Sequence, residues 1–271
     1  MLASLLASYI TGRYDVTVIP ISLPTPLVTI LLPSIWSDGQ PIFLNQQELE
    51  QAGLGQVPSA GEGKNWAIVQ IGKQISTGVG FGPGRKTFYE AKLEIPFLRH
   101  PHARSSAPFT YKHTLLFSSH MMALSSQNIS GLNSTKVNFK VDDFAYQVEA
   151  YLSCKEGEEE LEEVAPKASE WNEEVIKKCF ESWFVGEQTG EGATKFHTED
   201  ISPPKHKSSL HVRLHLPTLT ALPLEAIMKL LGKNLTELEK MDGEGWYDVK
   251  GIEGWEMSVK TKMEVKKVAE V

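Results

Sequence analysis

The sequence predicts an α+β chain, mainly antiparallel β, whose strands close as a barrel or cone with a few helices packed on it. Three observations predict this. Apolar and polar residues alternate in several stretches of strand length, proline and glycine punctuate the gaps between them, and few segments carry helical spacing. With 271 residues, 41% of them hydrophobic and 23% charged, the chain can bury a sizeable core and is read as a single domain.

Tyr14 to Leu32 is β-rich and apolar, and Pro20, Pro24 and Pro26 point to edge strands or extended entry segments. Gly53 to Gly63 is a loop, Trp66 to Ile71 a short buried strand, and Gly78 to Gly84 a glycine-rich hairpin tip. In Thr87 to Pro96, Phe88, Glu90, Lys92 and Glu94 point one way, and Tyr89, Ala91, Leu93 and Ile95 the other. His113 to Phe117 is a further strand, followed by a short helix through Met121 and Leu124. Val137 to Cys154 supplies at least two strands, with Tyr146, Val148, Ala150 and Leu152 on one face. The run Lys155 to Glu163, with six Glu and one Lys, is solvated.

The clearest helix spans Ser169 to Phe184, with Ser169 as N-cap and Trp171, Val175, Cys179, Phe180, Trp183 and Phe184 at helical spacing. Leu210 to Leu216 is a strand, Leu224 to Leu231 a short helix stopping at Gly232, and a terminal pair of strands starts near Trp246 and Trp255.

Composition excludes several functions. A net charge of −7 without a basic stripe argues against nucleic acid. Two cysteines, Cys154 and Cys179, make neither a disulfide framework nor a zinc site, so a reduced, cytoplasmic compartment is expected. Met1 to Tyr9 lacks a positive leading region and is too short to span a bilayer, so no membrane span is expected. Sequons begin at Asn128, Asn133 and Asn234 and matter only in a secreted chain. His100 and His102 sit in a Pro/Arg/Ser loop without the converging ligands a metal needs, and no Gly-x-Ser-x-Gly elbow is present. Gly78 to Gly84 lacks the Gly-Lys-Ser/Thr ending of a phosphate loop. His211, Arg213 and His215 share one face of their strand, which either lines the cavity or faces water.

From Tyr89 to Phe139 the order of features resembles the acetoacetate decarboxylase superfamily. Phe88-Tyr-Glu-Ala-Lys-Leu-Glu-Ile-Pro96 is similar to the family strand with a Tyr and a Glu leading to Ile-Pro, and Tyr111 to Phe117 to the strand that returns across the barrel. In the family a Gly-Arg-Glu turn and a Gly-Phe-Pro-Lys-Lys stretch follow. The first lysine forms a Schiff base with a β-keto acid, and its neighbour lowers its pKa. Here Gly131 matches the family glycine, Gln127 and Asn128 replace the Arg and Glu, Asn133 takes the proline position and Ser134 the nucleophile's. Lys136 lies two residues later, on the same strand face as Ser134.

The resemblance implies a divergent member of fungal specialised metabolism without the lysine pair. The first expectation is a cofactor-free cyclase or isomerase, such as a pericyclase for an intramolecular Diels-Alder cycloaddition, on a small hydrophobic carbonyl-bearing substrate of terpenoid or polyketide type. The alternatives are a Schiff-base decarboxylase, aldolase or dehydratase using Lys136, and a ligand-binding barrel without turnover. Glu90 would be the general base, although a strand Glu ordinarily faces solvent. Gln127 and Asn128 would polarise a carbonyl, with Lys136 as the one nearby amine. Tyr89, His120, Met121, Asn133 and Ser134 would contact substrate, joined by His211 and Arg213 if their face turns inward. Family members often assemble, which implies a homo-oligomer.

Overall fold

The computed structural model describes residues 10–33, 42–79, 85–104, 106–142, 145–149, 151–156, 171–186, 192–216, 219, 222–231, 239–242 and 244–271. Met1 to Tyr9, Gly80 to Gly84, Ala150, most of the acidic run, Ser169, Gly232 and the Asn234 sequon lie outside them.

The chain opens with β1 (Ile10–Pro24), α1 (Thr25–Leu31), β2 (Ile42–Phe43), α2 (Gln46–Gln51), β3 (Lys64–Val79), β4 (Lys86–Arg99) and β5 (Phe109–Phe117). The middle holds α3 (His120–Ser130), β6 (Ser134–Lys136), β7 (Phe139–Val141), β8 (Ala145–Val148), β9 (Leu152–Glu156) and α4 (Glu173–Glu181). Then come β10 (Trp183–Val185), β11 (Gly192–Ile201), β12 (Lys205–His215), α5 (Leu224–Leu230) and β13 (Trp246–Lys267). All these strands belong to one sheet. Along it β1, β3, β4, β5, β10, β11 and β13 are neighbours in that order, and β13 pairs back onto β1, which closes a ring. A branch of β12, β9, β8 and β7 leaves from β13. Pairing is antiparallel throughout except at β10–β5 and β5–β6.

Three strands and one helix depart from the sequence reading. β1 is no edge strand over Thr11 to Val18, where β3 and β13 flank it. Past Val18 only β3 accompanies it, so the missing N–H groups of Pro20 and Pro24 break no pairing on that side. Pro26 stands in the first turn of α1, which tolerates it. The expected short strand at Trp66 is β3, 16 residues long. The terminal pair is one 22-residue strand, β13, carried through Gly251 at a φ of +63°. The Ser169 to Phe184 helix is shorter than expected: Asn172 caps it by accepting from the Val175 N–H, and it ends before Trp183. Trp183 and Phe184 then alternate in β10, whose parallel pairing with β5 overrides the helical spacing.

The ring interior is layered. At one end Tyr14, Val16, Val18, Ile68, Met257 and Val259 pack with Val175, Ile176, Cys179 and Phe180 of α4, which plugs the ring. At the other end Phe88, Leu115, Phe117, Leu132 and Phe184 pack under Ala123 of α3. Gly131, left-handed at a φ of +58°, closes that helix. The opposite face of the ring strands, with Ile19, Val69, Ala91, Leu93 and Ile95, joins Val148, Leu152, Val212 and Tyr247 in the largest apolar cluster. Both faces of β4 are therefore buried, and its charged face is the one turned inward. Among the described residues no helix is long and apolar enough to cross a membrane.

Candidate active site

Between the two apolar ends the ring encloses a charged layer. β4 places Glu90, Lys92 and Glu94 at every second residue on the inner face, β3 supplies Gln70 and Gln74, and β5 supplies Lys112. Each of these six is at most 9% exposed. Burial on this scale requires that every charge have a partner, and the pairing is complete.

Lys112 Nζ lies 2.7 Å from Glu94 Oε1, and Gln70 Nε2 donates to Glu94 Oε2 at 2.8 Å. Lys92 Nζ donates to Gln70 Oε1 at 3.4 Å and pairs with Glu90 Oε1 at 3.1 Å. Gln74 Nε2 donates to Glu90 Oε2 at 2.7 Å, and Gln74 Oε1 accepts from the Thr77 hydroxyl at 2.9 Å. One continuous chain of bonds thus runs from Thr77 to Lys112, with two cations and two carboxylates in alternation. Aromatic rings hold the ammonium groups from the sides. Lys112 Nζ stands 4.0 Å from the Phe184 ring centre, and Lys92 Nζ 4.6 Å from that of Tyr14.

This setting disfavours charge on Lys112. Burial, and secondarily the positive charge of Lys92, bring its pKa from 10.5 to about 8 against the opposing pull of Glu94 and Glu90. The Tyr14 hydroxyl moves the other way: burial first, then Glu90 and Glu94, raise it well above its ordinary value.

A cavity of about 90 Å³ opens on this layer beneath α3. Glu90, Gln74, Thr77 and Lys112 provide much of its polar wall, and Phe88, Phe117, Met122, Phe184, Phe196 and Met263 much of its apolar one. Lys92 and Glu94 line a smaller adjoining space of about 10 Å³, to which Lys112 is common. Gly12 borders the cavity because nothing larger fits: a Cβ there would stand 2.1 Å from the Thr77 hydroxyl oxygen.

Of the residues singled out from sequence, Glu90 lines the cavity. Tyr89 lies on the other face of β4, stacked on Phe139 at 5.9 Å. Gln127 is structural, its amide donating to the Ser134 carbonyl at 2.6 Å. The buried Ser134 hydroxyl donates to the Ala123 carbonyl at 2.8 Å, which ties β6 to α3. Asn128, Asn133, His120 and Met121 are exposed, and Met122 faces the cavity instead of Met121. Lys136 is exposed as well, its amine donating to Asn138 Oδ1 at 2.9 Å, so it does not reach the cavity. His211 pairs with Asp248, and Arg213 with Asp242 at 2.9 Å, on the outward face of β12. Their strand neighbours Val212 and Leu214 are the ones in the core.

Sequence reasoning missed Lys112, Lys92, Glu94, Gln70 and Gln74. The available signal was a lysine, Lys112, within the strand Phe109 to Phe117, close in sequence to a strand with three charges on one side.

No family model and no curated protein sequence matches the chain. Similarity appears in three dimensions. The enduracididine biosynthesis enzyme MppR, complexed with the condensation product of pyruvate and imidazole 4-carboxaldehyde, overlays with a TM-score of 0.53 at 9% identity, covering 96% of this chain and 89% of that one. Its complex with pyruvate gives 0.52 at 9% identity over 96% and 90%. An acetoacetate decarboxylase from Legionella pneumophila overlays more loosely, at 0.49 and 13% identity over 96% and 87%. At such identities the likeness carries the fold alone: the chain has the architecture of MppR, and the mainly antiparallel sheet with a few helices expected from the sequence is borne out.

Proposed function

We propose that this chain is an enzyme that joins the Lys112 amine to the carbonyl of a small substrate as an imine and uses it for lyase chemistry, such as aldol cleavage or condensation, dehydration or decarboxylation. The observation that carries the proposal is the placement of Lys112. It is buried at a cavity wall and its pKa is brought down to about 8.

At pH 7 about a tenth of such an amine is neutral, against about one part in three thousand for an ordinary lysine. The neutral nitrogen attacks the carbonyl carbon, the carbonyl oxygen takes up a proton, and loss of water leaves the iminium. Glu94, 2.7 Å from the nitrogen, is placed to take the proton that the ammonium must shed. Glu90 faces the cavity and is placed to remove or return a proton at the carbon beside the iminium. Bond breaking at that carbon sends its electron pair into the iminium, and hydrolysis restores the amine.

Pyruvate, bound by MppR in the same fold, is a carbonyl compound of the size this cavity takes. The cofactor-free cyclase reading rested on the loss of the family's lysine pair; Lys112 offers a buried amine from another strand, which favours the imine reading. A cavity of about 90 Å³ also suits the reacting end of a small molecule better than a folded terpenoid or polyketide.

The test is reductive trapping. Incubation with a panel of small aldehydes and ketones plus cyanoborohydride should give one stable adduct, mapped to the peptide containing Lys112. The Lys112→Met/Glu94→Gln variant, which leaves no buried charge unpaired at that site, should give none. Absence of an adduct on Lys112 across the panel would remove the proposal.

A further inference from the structure

The charge balance around Lys112 says which carbonyl compounds the cavity accepts. Among the described residues that line it, Glu90 and Lys112 are the charged ones. Including the adjoining Lys92 and Glu94, the layer holds two positive and two negative groups while Lys112 is protonated. Attack requires a neutral Lys112; with its proton passed to Glu94 the layer stays uncharged and offers a substrate carboxylate no net positive charge.

No cation of this layer remains for a substrate carboxylate. Lys92 is held by Glu90 at 3.1 Å and by Gln70 at 3.4 Å, and it lines the adjoining space, not the cavity. Arg85, beside the cavity residue Thr11, directs its guanidinium to the Thr11 hydroxyl and carbonyl, each at 3.0 Å, and to the Ser76 hydroxyl at 3.0 Å. The remaining polar lining is neutral: Thr11, Gln74, Thr77, Ser125, Ser126 and Thr261. A substrate carboxylate would therefore enter beside Glu90 with no counter-charge among the described lining residues other than Lys112, the amine that must react.

We infer that the substrate class of this site is an uncharged aldehyde, ketone or oxo ester, and that the cavity discriminates against oxo acids of the same shape. This rests on the imine reading of Lys112. In the forward step the neutral substrate takes the amine, Glu94 returns the proton as water leaves, and the iminium takes the place of the ammonium in a layer that stays neutral. With an oxo acid the same step leaves the layer one negative charge in excess. For two like charges about 5 Å apart in a partly desolvated site, the penalty on binding is on the order of a hundredfold. The reaction favoured is then carbon–carbon bond cleavage, condensation or loss of water, and not release of carbon dioxide.

The experiment compares matched pairs on the wild-type chain, methyl pyruvate against pyruvate and methyl acetoacetate against acetoacetate. Cyanoborohydride trapping on Lys112 is followed by peptide mass, and each rate is divided by that of the same compound with free Nα-acetyllysine. The inference expects each ester to label Lys112 on the order of a hundredfold faster than its acid after this correction. Glu90→Gln should narrow the gap by about tenfold or more, chiefly by speeding the acids. Equal or faster labelling by the acids would overturn the inference while leaving the imine reading intact. Failure of acids and esters alike to label Lys112 would overturn both.

Discussion

Lys112 and Glu94 form an ion pair at 2.7 Å with side chains only 5% and 4% exposed, in the interior of a ring of strands. Such a pair adds little net stability over apolar residues of similar shape, yet breaking it strands a buried charge at about 3–5 kcal/mol. Lys112→Met should lower the urea unfolding free energy by about that amount, and adding Glu94→Gln should recover most of it. Additive losses in the double variant would contradict the pairing.

The reactivity of Lys112 should follow its depressed pKa. Only the neutral amine attacks, so trapping at Lys112 should rise with pH and level off above about 8, where an ordinary lysine would climb until 10.5. Glu94 raises the Lys112 pKa, so Glu94→Gln should move the midpoint below 8. A rate profile still climbing at pH 10 in the wild type would show an ordinary amine.

Lys136 should be dispensable. It is exposed and bonded to Asn138, so Lys136→Ala should leave trapping and stability within about 0.5 kcal/mol of wild type. Ser134→Ala, by contrast, leaves the Ala123 carbonyl without its buried donor and should cost about 1–3 kcal/mol in unfolding measurements.

Acid sensitivity should trace in part to His113. Burial lowers its pKa from 6.5 to about 4. Between those values the unfolded chain binds a proton that the folded chain does not, so stability is present above about pH 6.5 and falls as pH drops towards 4. His113→Asn should spare about 1–2 kcal/mol of the loss between pH 7 and pH 5, read from urea midpoints.

Gly12→Ala would drive a Cβ into Thr77, whose hydroxyl begins the chain of bonds to Glu90. A loss of about 1–3 kcal/mol and slower trapping are expected, by equilibrium unfolding and by adduct mass.

Most strands were legible from alternation, and so was the division of β4 into two faces. What alternation does not encode is which face is inside. A polar stripe on an antiparallel strand ordinarily faces water, but the closure of β13 onto β1 enclosed the face of Glu90, Lys92 and Glu94. That closure joins residues about 245 apart in sequence, and no local pattern reports it. The same blindness directed attention to Lys136, two residues from the position aligned with the family nucleophile, while the buried amine lay on the preceding long strand. The Trp183–Phe184 pair was misread for a related reason, since three residues of strand gain their identity only from the β5 neighbour.

The most direct test of the account is the address of the reduced adduct. After incubation with methyl acetoacetate and cyanoborohydride at pH 8, one added mass on the peptide spanning Tyr111 to Phe117, located at Lys112, is the predicted result. An adduct on Lys136, or labelling spread over surface lysines without preference for Lys112, would contradict it.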